Sequence, residues 1–154
     1  MFDTQAELLD TYRATPTILR ALLRGVSDEQ ARARAGANDW SIIEIVAHLA
    51  DAEVTATERV TLMTREDRPR LAAYDQEERA RARNYIGLDL AATLERFAHL
   101  RAEQIALLST FDTAAWQRAG VHDEAGAITV EALTAHMAAH DAIHLAQIAR
   151  LLPA

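Results

Sequence analysis

Three histidines recur at four-residue intervals in the stretch HMAAHDAIHLAQ, residues 136–147. Side chains four positions apart on a helix lie on one face, with Cβ atoms about 6 Å apart, so two successive imidazoles can direct a nitrogen at one metal ion. The outer pair, His136 and His144, would lie about 12 Å apart along the helix axis, which is too far for all three to bind one small ion. One of the three must therefore drop out, and a further ligand must come from elsewhere in the chain.

A candidate for that further ligand is His48, within the stretch SIIEIVAHLADAE. Polar side chains lie beside it and beside an apolar stripe, at Glu44, Asp51 and Thr55. This pattern indicates a polar pocket inside a helical core. Three neutral imidazoles that leave positions open for water or substrate match a catalytic divalent metal, with zinc and nickel suited to nitrogen ligands. The alternative is a set of core or exposed histidines that only make hydrogen bonds, because HxxxH on an Ala-rich helix is a weak motif.

The other polar residues near these motifs support fewer conclusions. Gln147 either orients a histidine or is an ordinary exposed glutamine, and His99 and His122 have no partner at metal-ligand spacing. Asp141 follows His140, so the HExxH pattern of zinc proteases is absent, and the paired Glu-x-x-His motifs of di-iron bundles are absent too. The chain has no cysteine, which excludes thiolate metal sites, disulfides and a cysteine nucleophile.

Four segments have the hydrophobic periodicity of long amphipathic helices, and these must position the histidines. The first contains Pro16, which either kinks the helix or marks a boundary within it. Ser41 and Glu44 have the spacing of a capping box, while Asp89 and Thr129 are candidate N-caps. The predicted helices cover residues 3–24, Ser41 to about Arg65, 90–110 and 130–152.

The connections between these segments differ in length and character. Residues 26–40 are predicted to be a connector with one helical turn, and residues 111–128 a loop. Residues 66–87 are highly charged, with a short surface helix over 75–83, and about twenty residues suffice to cross a bundle lengthwise. We therefore predict one all-α domain over residues 1–154, a four-helix bundle with a long crossover between the second and third helices.

Charge and hydropathy restrict the possible partners. The net charge is −7 over 154 residues, and the arginines of segment 65–83 are interspersed with five acidic residues, so we expect no nucleic-acid partner. No apolar run approaches the roughly 20 residues of a membrane span, and the N-terminus lacks a basic region followed by an apolar stretch. We therefore expect a cytoplasmic protein with no membrane association.

Two stretches, DWSIIEIVAHLADAE and LTAHMAAHDAIHLAQI, lie about ninety residues apart on either side of a W…G…GAIT loop. Together they resemble the DinB-like (DinB/YfiT) superfamily of bacterial proteins, over about residues 5–151. The resemblance implies a four-helix bundle with a long crossover and a divalent metal, such as nickel or zinc, bound by His48, His140 and His144. It also implies that His136 is not a ligand, and that the protein is a homodimer.

Several members of that family transfer a low-molecular-weight thiol such as mycothiol, bacillithiol or glutathione. The metal holds the thiol as a nucleophilic thiolate, which attacks an electrophile. The resemblance thus implies a metal-dependent S-transferase of the detoxification type, whose partners are a small thiol and an electrophilic substrate. Leu145 and Ala146 stand where Arg-Gly is frequent in the family.

The alternative function is a non-enzymatic metal-binding stress-response module. A catalytic site would have an open mouth, lined by residues 66–87 and 112–128, whereas a structural site would be closed by a fourth protein ligand. In the catalytic case Glu44 or Asp51 would orient His48 by a hydrogen bond.

Overall fold

Seven helices and three short strands follow one another in residues 4–152, the part of the chain that the computed structural model describes. The predicted start of the first helix at residue 3 lies outside those residues. In chain order the elements are α1 (Gln5–Leu22), α2 (Asp28–Arg32), α3 (Ile42–Arg65), β1 (Arg70–Leu71), α4 (Gln76–Ala82), a 3-10 turn (Tyr85–Gly87), α5 (Leu90–Leu108), α6 (Thr113–Trp116), β2 (Ala119–His122), β3 (Gly126–Thr129) and α7 (Val130–Leu151).

The four long helices α1, α3, α5 and α7 form the predicted bundle. Helices α1 and α3 each pack against both α5 and α7. The crossover between α3 and α5 contains β1, α4 and the 3-10 turn, as its predicted length allows. Pro16 is buried within α1 and does not end the helix. None of the helices between residues 4 and 152 has the length and apolar character that a membrane span requires.

Side chains at the helix N-termini explain why the long helices begin where they do. The side chain of Asp89 accepts a hydrogen bond from the backbone N–H of Ala92 at 2.7 Å, and Thr129 accepts one from Ala132 at 3.1 Å. At α3, Glu44 accepts hydrogen bonds from the backbone N–H of Ser41 at 2.9 Å and from its hydroxyl at 2.8 Å. These bonds satisfy N–H groups that have no partner within the helix. The predicted caps are therefore confirmed.

The segment predicted as a loop, residues 111–128, instead contains α6 and the β2–β3 hairpin. Strand β2 pairs antiparallel with β3 and parallel with β1, with Gly120 opposite Ile128 and Arg70 opposite Val121. A Cβ atom at Gly120 would lie 2.8 Å from the Leu71 side chain, so a larger residue there would force that buried side chain to shift. The sequence prediction missed these strands because each has four residues or fewer, too short for a clear alternating pattern.

A charged cluster lies in the middle of the bundle. Arg101 on α5 is 1% exposed, and its guanidinium donates to Glu53 on α3 at 2.9 Å and to Asp141 on α7 at 2.8 Å. It also donates to the backbone carbonyl of Tyr12 on α1, whose hydroxyl donates to Glu53 at 2.7 Å. Thr15 donates to Asp141 at 2.7 Å. We call these residues the Arg101 cluster. It connects all four long helices by hydrogen bonds that water does not reach.

We predict that Arg101→Met lowers the free energy of unfolding by about 3–5 kcal/mol, because it leaves the Glu53 and Asp141 carboxylates buried without a cation. Urea unfolding in the presence of a chelator measures the change without a contribution from bound metal. The matched control is Arg20→Met, which removes an exposed ion pair with Glu95 (2.9 Å) and should cost less than about 1 kcal/mol. Equal losses for the two variants would contradict a special contribution from the Arg101 cluster.

Candidate metal centre

The structure brings His48 of α3 together with His140 and His144 of α7. The Nε2 atom of His140 lies 2.9 Å from Nε2 of His48 and 3.2 Å from Nε2 of His144. One ligand atom from each residue lies within 4.8 Å of the other two, and no other such group of His, Cys, Asp and Glu occurs in residues 4–152. We call this group the histidine triad. Its geometry allows three imidazoles to hold one metal ion.

The triad lies between the core and solvent. His48 is 3% exposed, and the edge of Trp40 packs against its ring with 5.0 Å between ring centroids. His140 and His144 are partly exposed. His144 borders a cavity of about 210 Å³, whose walls are formed by Asn38, Asp39, Trp40, Gln76, Glu77, His144 and Gln147. The triad is therefore held by buried helix faces on one side and adjoins open space on the other.

Burial and mutual proximity keep the triad uncharged. Burial, together with the nearby His140 and His144, lowers the pKa of His48 to about 3. The pKa of His140 is lowered to about 4 by burial and by the neighbouring His144 and His136. Burial also lowers the pKa of His144, although the hydrogen bond to Gln147 opposes the shift. At neutral pH the rings are therefore unprotonated, the state in which imidazole binds metal.

Gln147 fixes which nitrogen of His144 carries the lone pair. Its Oε1 atom lies 2.9 Å from Nδ1 of His144, and an amide oxygen can only accept, so Nδ1 donates and Nε2 carries the lone pair. That lone pair belongs to the nitrogen that lies 3.2 Å from Nε2 of His140. Ring nitrogens this close that each carry a lone pair repel one another unless a proton or a cation lies between them. The donor set therefore fits a divalent first-row metal ion.

The two acidic residues expected to orient His48 have other partners. Glu44 accepts hydrogen bonds from Ser41 and from the guanidinium of Arg34. Asp51 accepts from the Tyr85 hydroxyl and from Arg96, and it forms an ion pair with Arg83. This expectation was wrong, because the hydrogen bonds of both carboxylates in residues 4–152 go to these other partners and not to His48.

The remaining histidines lie outside the triad. His136 is exposed, with its ring centroid 6.4 Å from that of His140. His99 is exposed and lies 3.4 Å from the carboxylate of Glu103, one turn further along α5. The Nδ1 atom of His122 accepts hydrogen bonds from backbone N–H groups in the hairpin turn at 3.2 and 3.3 Å.

The walls of the cavity differ in part from those expected. Gln76 and Glu77 belong to the crossover, as predicted, but residues 38–40 replace the expected contribution of residues 112–128. The hairpin segment packs at the far end of α3, where Arg118 donates to the carbonyl of Met63 at 2.8 Å. One feature of the sequence could have predicted that residues 38–40 line the cavity: they directly precede the helix that carries His48.

With this geometry established, comparisons with known proteins identify the family. The model of the DinB superfamily matches residues 11–148. The chain belongs to the DinB superfamily. The solved structure of YfiT from Bacillus subtilis, described as a probable metal-dependent hydrolase with an unusual four-helix bundle topology, superposes with a TM-score of 0.89 at 21% identity. That alignment covers 97% of this chain and 88% of YfiT. The predicted family and the predicted four-helix bundle are thus confirmed.

Two relatives in sequence align over most of their own length. A Geobacillus kaustophilus protein named "Putative metal-dependent hydrolase" is 31% identical over 147 residues, which cover 94% of this chain and 82% of that protein. An Oceanobacillus iheyensis protein with the same descriptive name is 26% identical over 145 residues, covering 94% and 84% of the two chains. These similarities extend over the triad and the crossover together.

We predict that the purified protein binds one divalent ion per chain and that His140→Ala lowers this to near zero, because only two donors remain. Metal content after dialysis against a weak chelator measures the ratio. His136→Ala is the matched control, since it removes an exposed histidine from the same helix and should retain full metal content. A stoichiometry that is equal in the two variants would contradict the triad as the metal site.

We predict that the metal-free protein loses stability as the pH falls from about 6.5 to 5. The pKa values of His48 and His140 in the folded state, about 3 and 4, lie below the unfolded value of about 6.5. In this range the unfolded chain therefore binds protons that the folded chain does not. Each of the two histidines adds a slope of at most about 1.4 kcal/mol per pH unit.

Urea unfolding at pH 7, 6 and 5 with chelator present tests this pH dependence. The slope should decrease in His48→Gln and in His140→Gln and should be unchanged in His136→Ala. If the slope is the same in all four proteins, His48 and His140 are not its source.

Proposed function

We propose that this protein is a metal-dependent enzyme that transfers a low-molecular-weight thiol to an electrophilic substrate, with zinc or nickel held by His48, His140 and His144. The observation that carries the proposal is an incomplete ligand set beside open space. Three ligand atoms converge, no fourth His, Cys, Asp or Glu joins them among residues 4–152, and a cavity borders His144. Three protein ligands with an open position are typical of catalytic sites, whereas structural sites have four.

The side chains around the triad support this chemistry in separate ways. Gln147 keeps the Nε2 lone pair of His144 directed at the centre, and Trp40 covers His48 against water. A divalent ion bound there would supply the positive charge that lowers the pKa of a thiol in the open position. The cavity of about 210 Å³ leaves room for a small molecule next to the triad.

A hydrolase is the second candidate, and the names given to the relatives favour it. The proteins from Geobacillus kaustophilus and Oceanobacillus iheyensis and the YfiT structure are all described as metal-dependent hydrolases. The same triad would then activate water in place of a thiol. The non-enzymatic stress-response module is disfavoured, since an inert site needs no open position beside the ligands.

We predict that the metal-loaded protein conjugates at least one of mycothiol, bacillithiol and glutathione to 1-chloro-2,4-dinitrobenzene. Chelation should abolish the reaction and added metal should restore it. Gln147→Ala should lower the rate or the metal affinity about 10- to 100-fold, as loss of a hydrogen bond to a metal-bound histidine typically does. Dinitrophenyl thioether formation, followed by absorbance, measures the rate.

The controls separate the three functions. His136→Ala should retain the wild-type rate, because His136 lies outside the triad. A metal-loaded protein that cleaves ester or amide substrates without conjugating any thiol would establish the hydrolase instead. Stoichiometric metal with neither activity would leave the non-enzymatic module.

A further inference from the structure

The outward face of α7 carries no charged side chain over most of the length of the helix. Every exposed position from Ala132 to Ala149 is alanine, except His136 and Ile143. The one aspartate of this stretch, Asp141, is buried in the Arg101 cluster. We call the exposed surface of residues 132–149 the α7 face. A helix that lacks charge on its outer side as well as on its inner side is typical of a helix that is covered on both.

The exposed surfaces of the neighbouring long helices are charged. On α1, Arg13 forms an ion pair with Asp10 at 2.7 Å, and on α5 the side chains of Glu95 and Glu103 are exposed. The whole chain carries a net charge of −7. Like charges that meet across an interface oppose association, so two copies of an acidic chain can approach each other most easily through a face without charge. The α7 face meets that condition.

The shape of the α7 face fits a second copy of itself. Ile143 is 65% exposed, more than any other large hydrophobic side chain in residues 4–152. Ala139 and Ala146 lie one turn before and one turn after it, and Ala142 lies beside it. A projecting isoleucine thus adjoins a recess formed by small side chains. In a twofold pair of helices, the isoleucine of each copy can enter the alanine recess of the other.

Ile18 of α1 extends this apolar surface beyond α7, since its side chain is 43% exposed. Thr15, one turn earlier, donates to Asp141, so this side of α1 adjoins α7. The faces of the two helices together measure about 27 Å by 20 Å, from a rise of 1.5 Å per residue and a width of about 10 Å per helix. Two copies would therefore bury about 1,100 Å² in all, which is enough for a specific but weak dimer.

We propose that two copies of this chain associate through the α7 face around a twofold axis, with Ile143 of each copy packed among the alanines of the other. The homodimer expected from the family resemblance would then have its interface on α7. His136 belongs to the same face, and its ring centroid lies 6.4 Å from that of His140. The second copy would therefore lie next to the triad of the first, and the two metal centres would lie on either side of the paired α7 helices.

Sedimentation equilibrium of the metal-loaded protein over the micromolar range tests the association. The wild type should approach twice the mass of one chain. Ile143→Glu should raise the dimer dissociation constant at least about 100-fold, because two carboxylates would then meet in the centre of the interface. Leu62→Glu is the matched control and should retain the dimer. Leu62 is 38% exposed and borders a different apolar groove, between α3 and α5.

Cross-linking provides a second measurement that adds no charge to the surface. The chain has no cysteine, so Ile143→Cys and Leu62→Cys each carry a single thiol. A short bismaleimide should join two chains of Ile143→Cys at concentrations at which Leu62→Cys remains a single chain. All four positions of substitution are exposed in one chain, and circular dichroism melting shows directly that each variant is folded.

Each outcome decides for or against the α7 face. A wild type that stays monomeric over the whole range overturns the proposal and leaves the face to a different partner. A dimer that Leu62→Glu dissociates and Ile143→Glu retains also overturns it, and points to the groove between α3 and α5. Dissociation by Ile143→Glu alone, together with cross-linking of Ile143→Cys alone, supports it. Thiol transfer is measured separately, and none of these results decides it.

Discussion

The fold depends on one buried cation, the guanidinium of Arg101. A charge that is 1% exposed is tolerated only where opposite charges and acceptors surround it, and Glu53, Asp141 and the Tyr12 carbonyl meet that need from three other helices. Because Asp141 directly follows His140, the contact that sets the position of α7 along the bundle also sets that of the triad. A shift of α7 by one turn, about 5.4 Å, would separate both the charges and the imidazoles.

The triad gives the folded chain a metal-donor set that the unfolded chain lacks. One ligand atom from each ring lies within 4.8 Å of the other two, in an environment that lowers the pKa of His48 to about 3 and so keeps that ring uncharged. The arrangement is fixed by the packing of the surrounding helices, including the contacts of Arg101 with Glu53 and Asp141. A cation that binds the folded state alone would therefore stabilise the fold by mass action.

The helices could be predicted from residues that are close together in the sequence. Contacts between residues that are far apart in the sequence were harder to predict. Caps such as Asp89 act within a few residues, so sequence locates them, whereas the approach of His48 to α7 depends on how ninety intervening residues fold. The Arg101 cluster was missed even though a signal exists. Phe97, Arg101 and Leu108 are spaced as one buried stripe, so the arginine stands at a core position. Glu53 and Asp141 likewise lie on the buried faces of α3 and α7. Opposite charges on three core stripes predict a buried ion cluster.

The crossover was predicted to be highly charged, with a short surface helix, yet several of its charges bind the bundle. Arg79 donates to Thr55 on α3 at 2.9 Å, Arg83 pairs with Asp51 at 2.8 Å, and Glu77 accepts from Trp40. These contacts hold α4 beside the triad and bring a carboxylate to its cavity. The three histidines thus lie on long helices, where packing fixes their geometry, while four of the cavity-wall residues, Asn38, Asp39, Gln76 and Glu77, are exposed side chains of the segments between the long helices. It follows that substitutions at the exposed wall positions Asn38, Asp39, Gln76 and Glu77 can change the cavity while the histidine triad stays as it is.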